Sequence, residues 1–410
     1  MINLFLNTLL QLMLVIVLSL TFTGCSNDPE PGVGEPGLTQ IGVTPTEILL
    51  GSSSALSGHA GFLGTQYTHG ALAWFREVNA NGGIHGRRIN LISLDDQYDP
   101  PQTVVNTEKL INDKRVFMLF NYVGTPTSAK IISTVNDSQI PAFGFLTGAE
   151  LLRSPFSPYL FHVRASYYSE AEAAVEYFVS HLGYTRIAVL YQDDAFGEAV
   201  LQGVKLAMRR HNLPIVATGT YTRGQLDVED AVVSIQGSEA QAVVMAGTYG
   251  PLARFIKLCG DSDYQPYFHT VSFVGSEAFA EKIVAEGVDP IHYGQIIVTQ
   301  VVPSPYEEKL PAVIDYRRLI AEHFPNDEPN YVALEGFINA RVLSIALESA
   351  GPNLTHRKIK LMIERLRDVD IGIGKPVSFA PLDHSGLDQV FYSRLSKEGI
   401  FSGFELGSEN

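Results

Sequence analysis

The sequence predicts an α/β protein of two doubly wound lobes, each a parallel β-sheet with helices on both faces. Three observations carry this. From Glu47 onward, short apolar runs alternate with helix-period patterns, the mark of strand–helix–strand units. The alternation comes in two sets, and the apolar segment Phe161-His162-Val163-Arg164 between them reads as a strand crossing out of the first. With 410 residues, 45% hydrophobic and 18% charged, the chain has apolar material for two cores.

The first set opens with Ile48-Leu49-Leu50, an apolar strand running into Ser52-Ser53-Ser54 and then Leu56-Ser57-Gly58. Small polar residues just past a buried strand are where open α/β sheets bind ligands. Ala71, Trp74, Phe75 and Val78 recur at helical spacing. That helix closes at Asn81-Gly82-Gly83, where glycine accepts left-handed backbone. Arg87 to Leu94 reads as the next strand, and Asp99-Pro100 as an N-cap with proline at the first helical position. Val116 to Phe120 is a third strand, ending in the small polar turn Asn121 to Ser128. Pro141 to Gly144 is a fourth, ending in Phe145-Leu146-Thr147-Gly148.

The second set starts with a helix over Glu170 to His181 and a strand over Arg186 to Tyr191. Gln192 to Gly197 then leads into a long helix reaching His211. Further strands are expected at Ile215–Thr220, Gln241–Ala246 and Tyr267–Val274, with a helix over Pro251 to Leu258. Gln295 to Gln300 crosses back. Helices follow at about 311–323, 331–349 and 355–366, and Gln389 to Leu395 reads as a late strand.

Ahead of these lobes, the first 24 residues carry no charged side chain, and Leu9 to Leu20 is almost wholly apolar. An apolar core ending in small residues resembles a secretory signal peptide. Gly24-Cys25 at its end resembles a bacterial lipobox, which implies lipidation of Cys25 and a membrane anchor. Phe22 stands where that pattern usually has Leu, and Met1 to Asn7 lacks Lys and Arg. The alternative is an uncleaved membrane anchor; both place the rest of the chain outside the cytoplasm. Residues 26–46, rich in Pro, Gly and acid, are expected to form a flexible tether.

Composition excludes several functions. The net charge is −15 with no basic run, which argues against nucleic acid as a partner. There is no G-x-S-x-G elbow, H-E-x-x-H, Walker loop or C-x-x-C. His59, His69 and His85 are not at metal-ligand spacing, so no metal or cofactor is expected. Asp95-Asp96 and Asp193-Asp194 are adjacent on extended segments and so point to opposite faces. They read as strand-end caps, not catalytic dyads. Cys259, the only cysteine besides Cys25, reads as a buried thiol near a helix end.

The order Leu56-Ser57-Gly58, a helix, Asn79-Ala-Asn-Gly-Gly-Ile-His-Gly-Arg-Arg-Ile89, then Leu94-Asp-Asp-Gln-Tyr-Asp-Pro100 resembles the leucine/isoleucine/valine-binding protein family. The resemblance extends from about Glu47 to about Leu406. It implies a type I periplasmic-binding fold whose two lobes are joined by a multi-strand hinge. Lobe 1 would take 47–163 and 302–375, and lobe 2 would take 164–301 and 376–406. It further implies a non-enzymatic, monomeric binding protein that delivers a small solute to an ABC permease. The alternative is a receptor or sensor built on the same lobes. A third use of the fold, an amidase regulator inside the cell, sits badly with an exported N-terminus.

The resemblance also assigns a site. In the family, the turns at Gly124-Thr125 and Phe145-Leu146-Thr147 hold a ligand carboxylate through hydroxyl and backbone groups. Ser57 and Tyr122 lie in neighbouring strand-end turns. The second lobe adds Phe196, where tyrosine is usual, then Thr248 or Tyr249, then an acid facing the ligand's ammonium. That acid falls on Ser272, which carries no charge, and Glu277 is too far along to replace it. An unpaired buried ammonium costs several kcal/mol. Either another acid reaches the site, or the ligand is a carboxylate or amide without an amine. Phe62, Tyr122, Phe145, Phe196 and Tyr249 would wall such a pocket. Where the second lobe's acid is missing, so is the usual disulfide partner: Tyr98 and roughly Val123 stand at the positions of a bridge common in the branched-chain binders.

Overall fold

A computed structural model describes residues 40–406. The export segment 1–25, with Cys25, and most of the tether lie outside them. The first sheet has five parallel strands: β1 (Glu47–Ser54), β2 (Arg88–Asp95), β3 (Met118–Phe120), β4 (Ala142–Phe143) and β5 (Leu160–Phe161). Their order is β2-β1-β3-β4-β5. Ile48 and Leu50 of β1 are fully buried, as a covered parallel strand requires. The connecting helices are α1 (Gly61–Ala80), α2 (Pro100–Glu108), α3 (Thr125–Lys130) and α4 (Ile132–Ser138). Asp99 caps α2 as the sequence predicts, accepting from Gln102 N (3.4 Å) with Pro100 at the first position.

The chain then crosses at residues 162–166 into the second sheet. Here β6 (Ile187–Gln192), β7 (Ile215–Tyr221), β8 (Ala242–Ala246), β9 (Tyr267–Thr270) and β10 (Ile296–Gln300) run parallel. They alternate with α5 (Tyr167–Glu176), α6 (Ala195–Arg210), α7 (Glu229–Gln236), α8 (Tyr249–Asp261) and α9 (Ser276–Ala285). Every residue of β8 is buried, and Asp194 caps α6 through Phe196 N (2.9 Å). A second crossing returns the chain to the first lobe for α10 (Pro311–His323), α11 (Tyr331–Ala350) and α12 (His356–Ile363), then the short pair β11 (Val369–Asp370) and β12 (Pro376–Val377).

Residues 378–387 stay against the edge of the first sheet. His162 N donates to His384 O (2.8 Å), and Gly386 N to His162 O (2.7 Å). The last crossing then adds β13 (Phe391–Leu395) and β14 (Phe401–Phe404), both antiparallel. The second sheet reads β14-β13-β10-β9-β8-β6-β7.

Two expectations differ from the structure. The tether does not run to Thr46: Val43 is buried, and Leu49 N donates to Gly42 O (2.8 Å), so residues 42–46 pack onto the start of β1. The strand expected over 267–274 ends at Thr270. Ser272 to Val274 form a 3₁₀ turn, and Gly275, at φ +69°, turns the chain into α9.

Candidate functional site

The site forms where β3 and β4 end side by side. Leu146 N donates to Tyr122 O (2.8 Å) and Gly124 N to Leu146 O (3.1 Å), which extends the pairing past both strands. That register brings Thr125 and Thr147 together. Their hydroxyls lie 2.7 Å apart, and both side chains are fully buried. The Thr147 hydroxyl also accepts from Ala149 N (3.2 Å). Gly124 sits at φ +94°, and a Cβ there would lie 2.0 Å from Tyr98 Cε2, so glycine is required twice over.

Tyr98 lies across the turn. It comes from the Asp95–Asp99 loop of the first lobe, at φ +63°, and its ring reaches into the second lobe. Its centroid is 5.8 Å from that of Phe273, and the Arg223 guanidinium lies 5.7 Å from the ring. Phe273 packs on Phe196 (4.7 Å) and Phe196 on Tyr167 (5.3 Å). Four rings therefore run in sequence through one apolar cluster shared by the lobes, with Val123 and Leu146 beneath. Phe62 and Tyr249, both half-buried, meet edge-on at 6.5 Å across the rim. Thr248 is fully buried beside them, its N–H donating to Tyr221 Oη (3.1 Å).

Arg164 closes the inner end. It is 2% exposed, and its guanidinium lies 5.6 Å from the Tyr167 ring. One terminal nitrogen donates to Glu170 Oε1 (3.0 Å) and to the Ser272 hydroxyl; the other meets Glu335 Oε1 at 3.5 Å. Glu170 further accepts from Ser272 N (2.7 Å), Ser272 Oγ (3.0 Å) and Thr299 Oγ1 (2.9 Å). Burial works against charge on Arg164, but Glu335 and Glu170 outweigh it and hold the guanidinium above its ordinary pKa. Burial pushes Glu335 up to about 7 despite Arg164 beside it. Glu335 comes from α11 of the first lobe and Glu170 from α5 of the second, so Arg164 bridges the lobes.

Of the residues expected here, Gly124, Thr125, Thr147, Phe196, Thr248 and Ser272 lie around this buried region, with Tyr249 at its rim. Tyr122 and Phe145 need correcting as pocket walls. Their side chains face the interior of the first lobe, where the Tyr122 hydroxyl pairs with Thr107 (2.9 Å) and the two rings sit 6.3 Å apart. Facing alternates along extended backbone, and Val123 and Leu146 take the cleft side instead. Ser57 is exposed and donates to Asp95 Oδ2 (2.5 Å). Glu277 accepts from Tyr331 N (3.3 Å) at the start of α11. Asp95 and Asp96 cap separate groups, as expected of neighbours on extended backbone.

Tyr98, Tyr167, Arg164, Glu170 and Glu335 were not picked out from sequence. Tyr98 carried a signal, standing where the resemblance places a half-cystine. Arg164 carried another, as the lone ionised residue ending an apolar crossing segment. Glu335 carried none. Among the described residues, no cluster of His, Cys, Asp and Glu is placed to hold a metal ion, and no helix is long and apolar enough to cross a membrane.

Residues 47–399 match the sequence family described as periplasmic binding protein. An amino acid binding protein of Pseudomonas aeruginosa is 23% identical over 212 residues, 51% of this chain; the match spans 56% of that relative's length. A solved structure described as a possible leucine/isoleucine/valine-binding protein, from Rhodopirellula baltica SH 1, superimposes with a TM-score of 0.82 at 31% identity, covering 90% of this chain and 98% of that one. A fatty acid ABC transporter substrate-binding protein from Thermomonospora curvata shares the fold, with a TM-score of 0.81 at 18% identity over 92% of this chain and 97% of that one.

Proposed function

We propose, from the premise that this chain belongs to the periplasmic binding protein family, that it is the extracytoplasmic solute-binding protein of an ABC importer. It captures a small carboxylate-bearing solute or amide between its lobes and presents the closed form to a permease. It performs no chemistry of its own. The observation that carries this reading is the buried Thr125–Thr147 hydroxyl pair, set at the ends of two parallel strands. Hydroxyls in that position donate to a carboxylate, and a bound ligand that touches both lobes favours the closed state. The three crossing segments provide the hinge such closure needs. Lipidation of Cys25 would tether the protein at the membrane, and residues 26–41 would give it reach.

The relatives leave the solute class open, since one is named for amino acids and another for a fatty acid. A thermal-shift screen of the full chain, stripped of bound ligand, tests the reading. One panel holds the common amino acids; the other holds aromatic and short-chain carboxylic acids and amides. A rise in melting temperature with a member of either panel is expected, because a ligand of the folded state stabilises it by mass action. No rise with either panel, on folded protein, would transfer the proposal to the receptor or sensor reading.

A further inference from the structure

Glu277 is an acid held between the lobes with no cation to match it. It sits in the first turn of α9 in the second lobe. Its Oε1 accepts from Tyr331 N (3.3 Å), the first amide of α11 in the first lobe. A helix leaves its first amides without partners of its own. Asn330 Oδ1 satisfies the amide of Ala333 (2.7 Å), and it is Glu277, from across the lobes, that meets the amide of Tyr331. The same end of α9 fits closely against α1: a Cβ on Gly275 would lie 2.7 Å from Leu63 Cδ2 and 3.3 Å from Phe62.

The other half of the carboxyl group is unsupported. The side chain is half-buried, but Oε2 itself is covered and has no hydrogen-bond partner. The ionisable groups facing Glu277 are Glu281 on its own helix, Tyr331 of α11, Tyr306 of the returning crossing segment and Tyr316 of α10. None is a cation, and α1 brings only apolar Phe62 and Leu63 to the neighbouring Gly275. A carboxylate covered in this way, with one hydrogen bond and no counter-ion, is costly; the neutral acid keeps the Tyr331 bond without the charge. Burial pushes the carboxyl up to about 8 against the hydrogen bonds from its own backbone and from Tyr331 N, and Glu281 adds to the push.

We propose that Glu277 is a proton-operated latch between the lobes: as the carboxylic acid it holds the start of α11 against α9, and on ionising it lets go. It is a positioning residue that acts on a bound solute only through lobe closure, so its bearing on the site rests on the solute-binding reading. Tyr331 and Glu277 belong to different lobes, and a hinge that parts the lobes parts them and returns the carboxyl to water. There its ordinary value is 4.5. Between that value and about 8 the closed form keeps a proton that the open form has released. The latch therefore favours closure in full below about pH 4.5 and loses its hold as pH rises toward 8. A solute that needs the closed form is held more firmly in mild acid than in mild alkali.

Hydrogen exchange at the Tyr331 amide tests this with no solute present. The ligand-stripped full chain is compared with Glu277→Gln, which keeps the acceptor and has no proton to lose. Both are exchanged into heavy water at pH 5.5 and at pH 8.5 and read by mass spectrometry with fragmentation to single amides. Comparing the two proteins at each pH cancels the intrinsic pH dependence of exchange. At pH 5.5 the two amides should exchange within about twofold of each other; at pH 8.5 the wild-type amide should exchange about tenfold or more faster. A gap that does not open between the two pH values overturns the latch. So does a Glu277→Gln amide that is unprotected at both, since a neutral side chain should hold. Neither failure touches the solute-binding reading, which the thermal-shift screen decides separately.

Discussion

Glu335 is a buried carboxyl whose burial raises its pKa from 4.5 to about 7, with Arg164 pulling the other way. The folded state thus holds a proton that the unfolded chain has already released between those two values. Stability contributed by this group is present in full below about pH 4.5 and is lost as pH rises toward 7. Glu335→Gln should flatten the fall in melting temperature over that window relative to the wild type; a parallel pair of pH profiles would refute the assignment. Cys259 gives a simpler test. Burial pushes its thiol up to about 12, so its peptide should resist alkylation at pH 8 until the protein is denatured. Labelling in the native state would contradict this. Cys259 was legible because it lies in a helix-period apolar run. Arg164 and Glu335 were not, because 171 positions separate them and only the tertiary fold makes them a pair.

At the level of elements, α1 and α11 pack at close range. A Cβ on Gly70 would lie 1.7 Å from Ala333 O, and one on Gly336 would lie 2.1 Å from Tyr67 O. Backbone cannot give way as a side-chain tip can, so Gly70→Ala should force the helices apart and cost about 1–3 kcal/mol or more. Denaturant unfolding would measure it, and a loss under about 0.5 kcal/mol, the range of ordinary surface changes, would contradict the packing described. The strand–helix alternation, the α2 cap and the strand ends carrying Thr125 and Thr147 were readable, because each is written in local period and turn residues. The break after Thr270 was not. Val271 to Val274 is as apolar as a strand, and the left-handed Gly275 that redirects it looks like any other glycine.

The whole molecule is two lobes that share an apolar cluster and are bridged by Arg164, with the Thr125–Thr147 hydroxyl pair at two strand ends of the first lobe. Two sets of units with a crossing between them could be read from the chain; which side chains face each other across the cleft could not, since that depends on lobe orientation. A ligand enclosed between the lobes buries its own apolar surface, so binding should carry a negative heat-capacity change, visible as a binding enthalpy that becomes more favourable on warming. A heat-capacity change near zero would argue that the ligand binds elsewhere. The most direct measurement is calorimetric titration of the wild type and of the Thr125→Val/Thr147→Val double variant with the compound that most raises the melting temperature. Removing both hydroxyls leaves neither orphaned by the other, and Ala149 N loses a partner, at a cost of about 1 kcal/mol. The double variant should fold and its affinity should fall about a hundredfold, the loss of two hydrogen bonds to a charged group. A folded double variant that binds as the wild type does would contradict it.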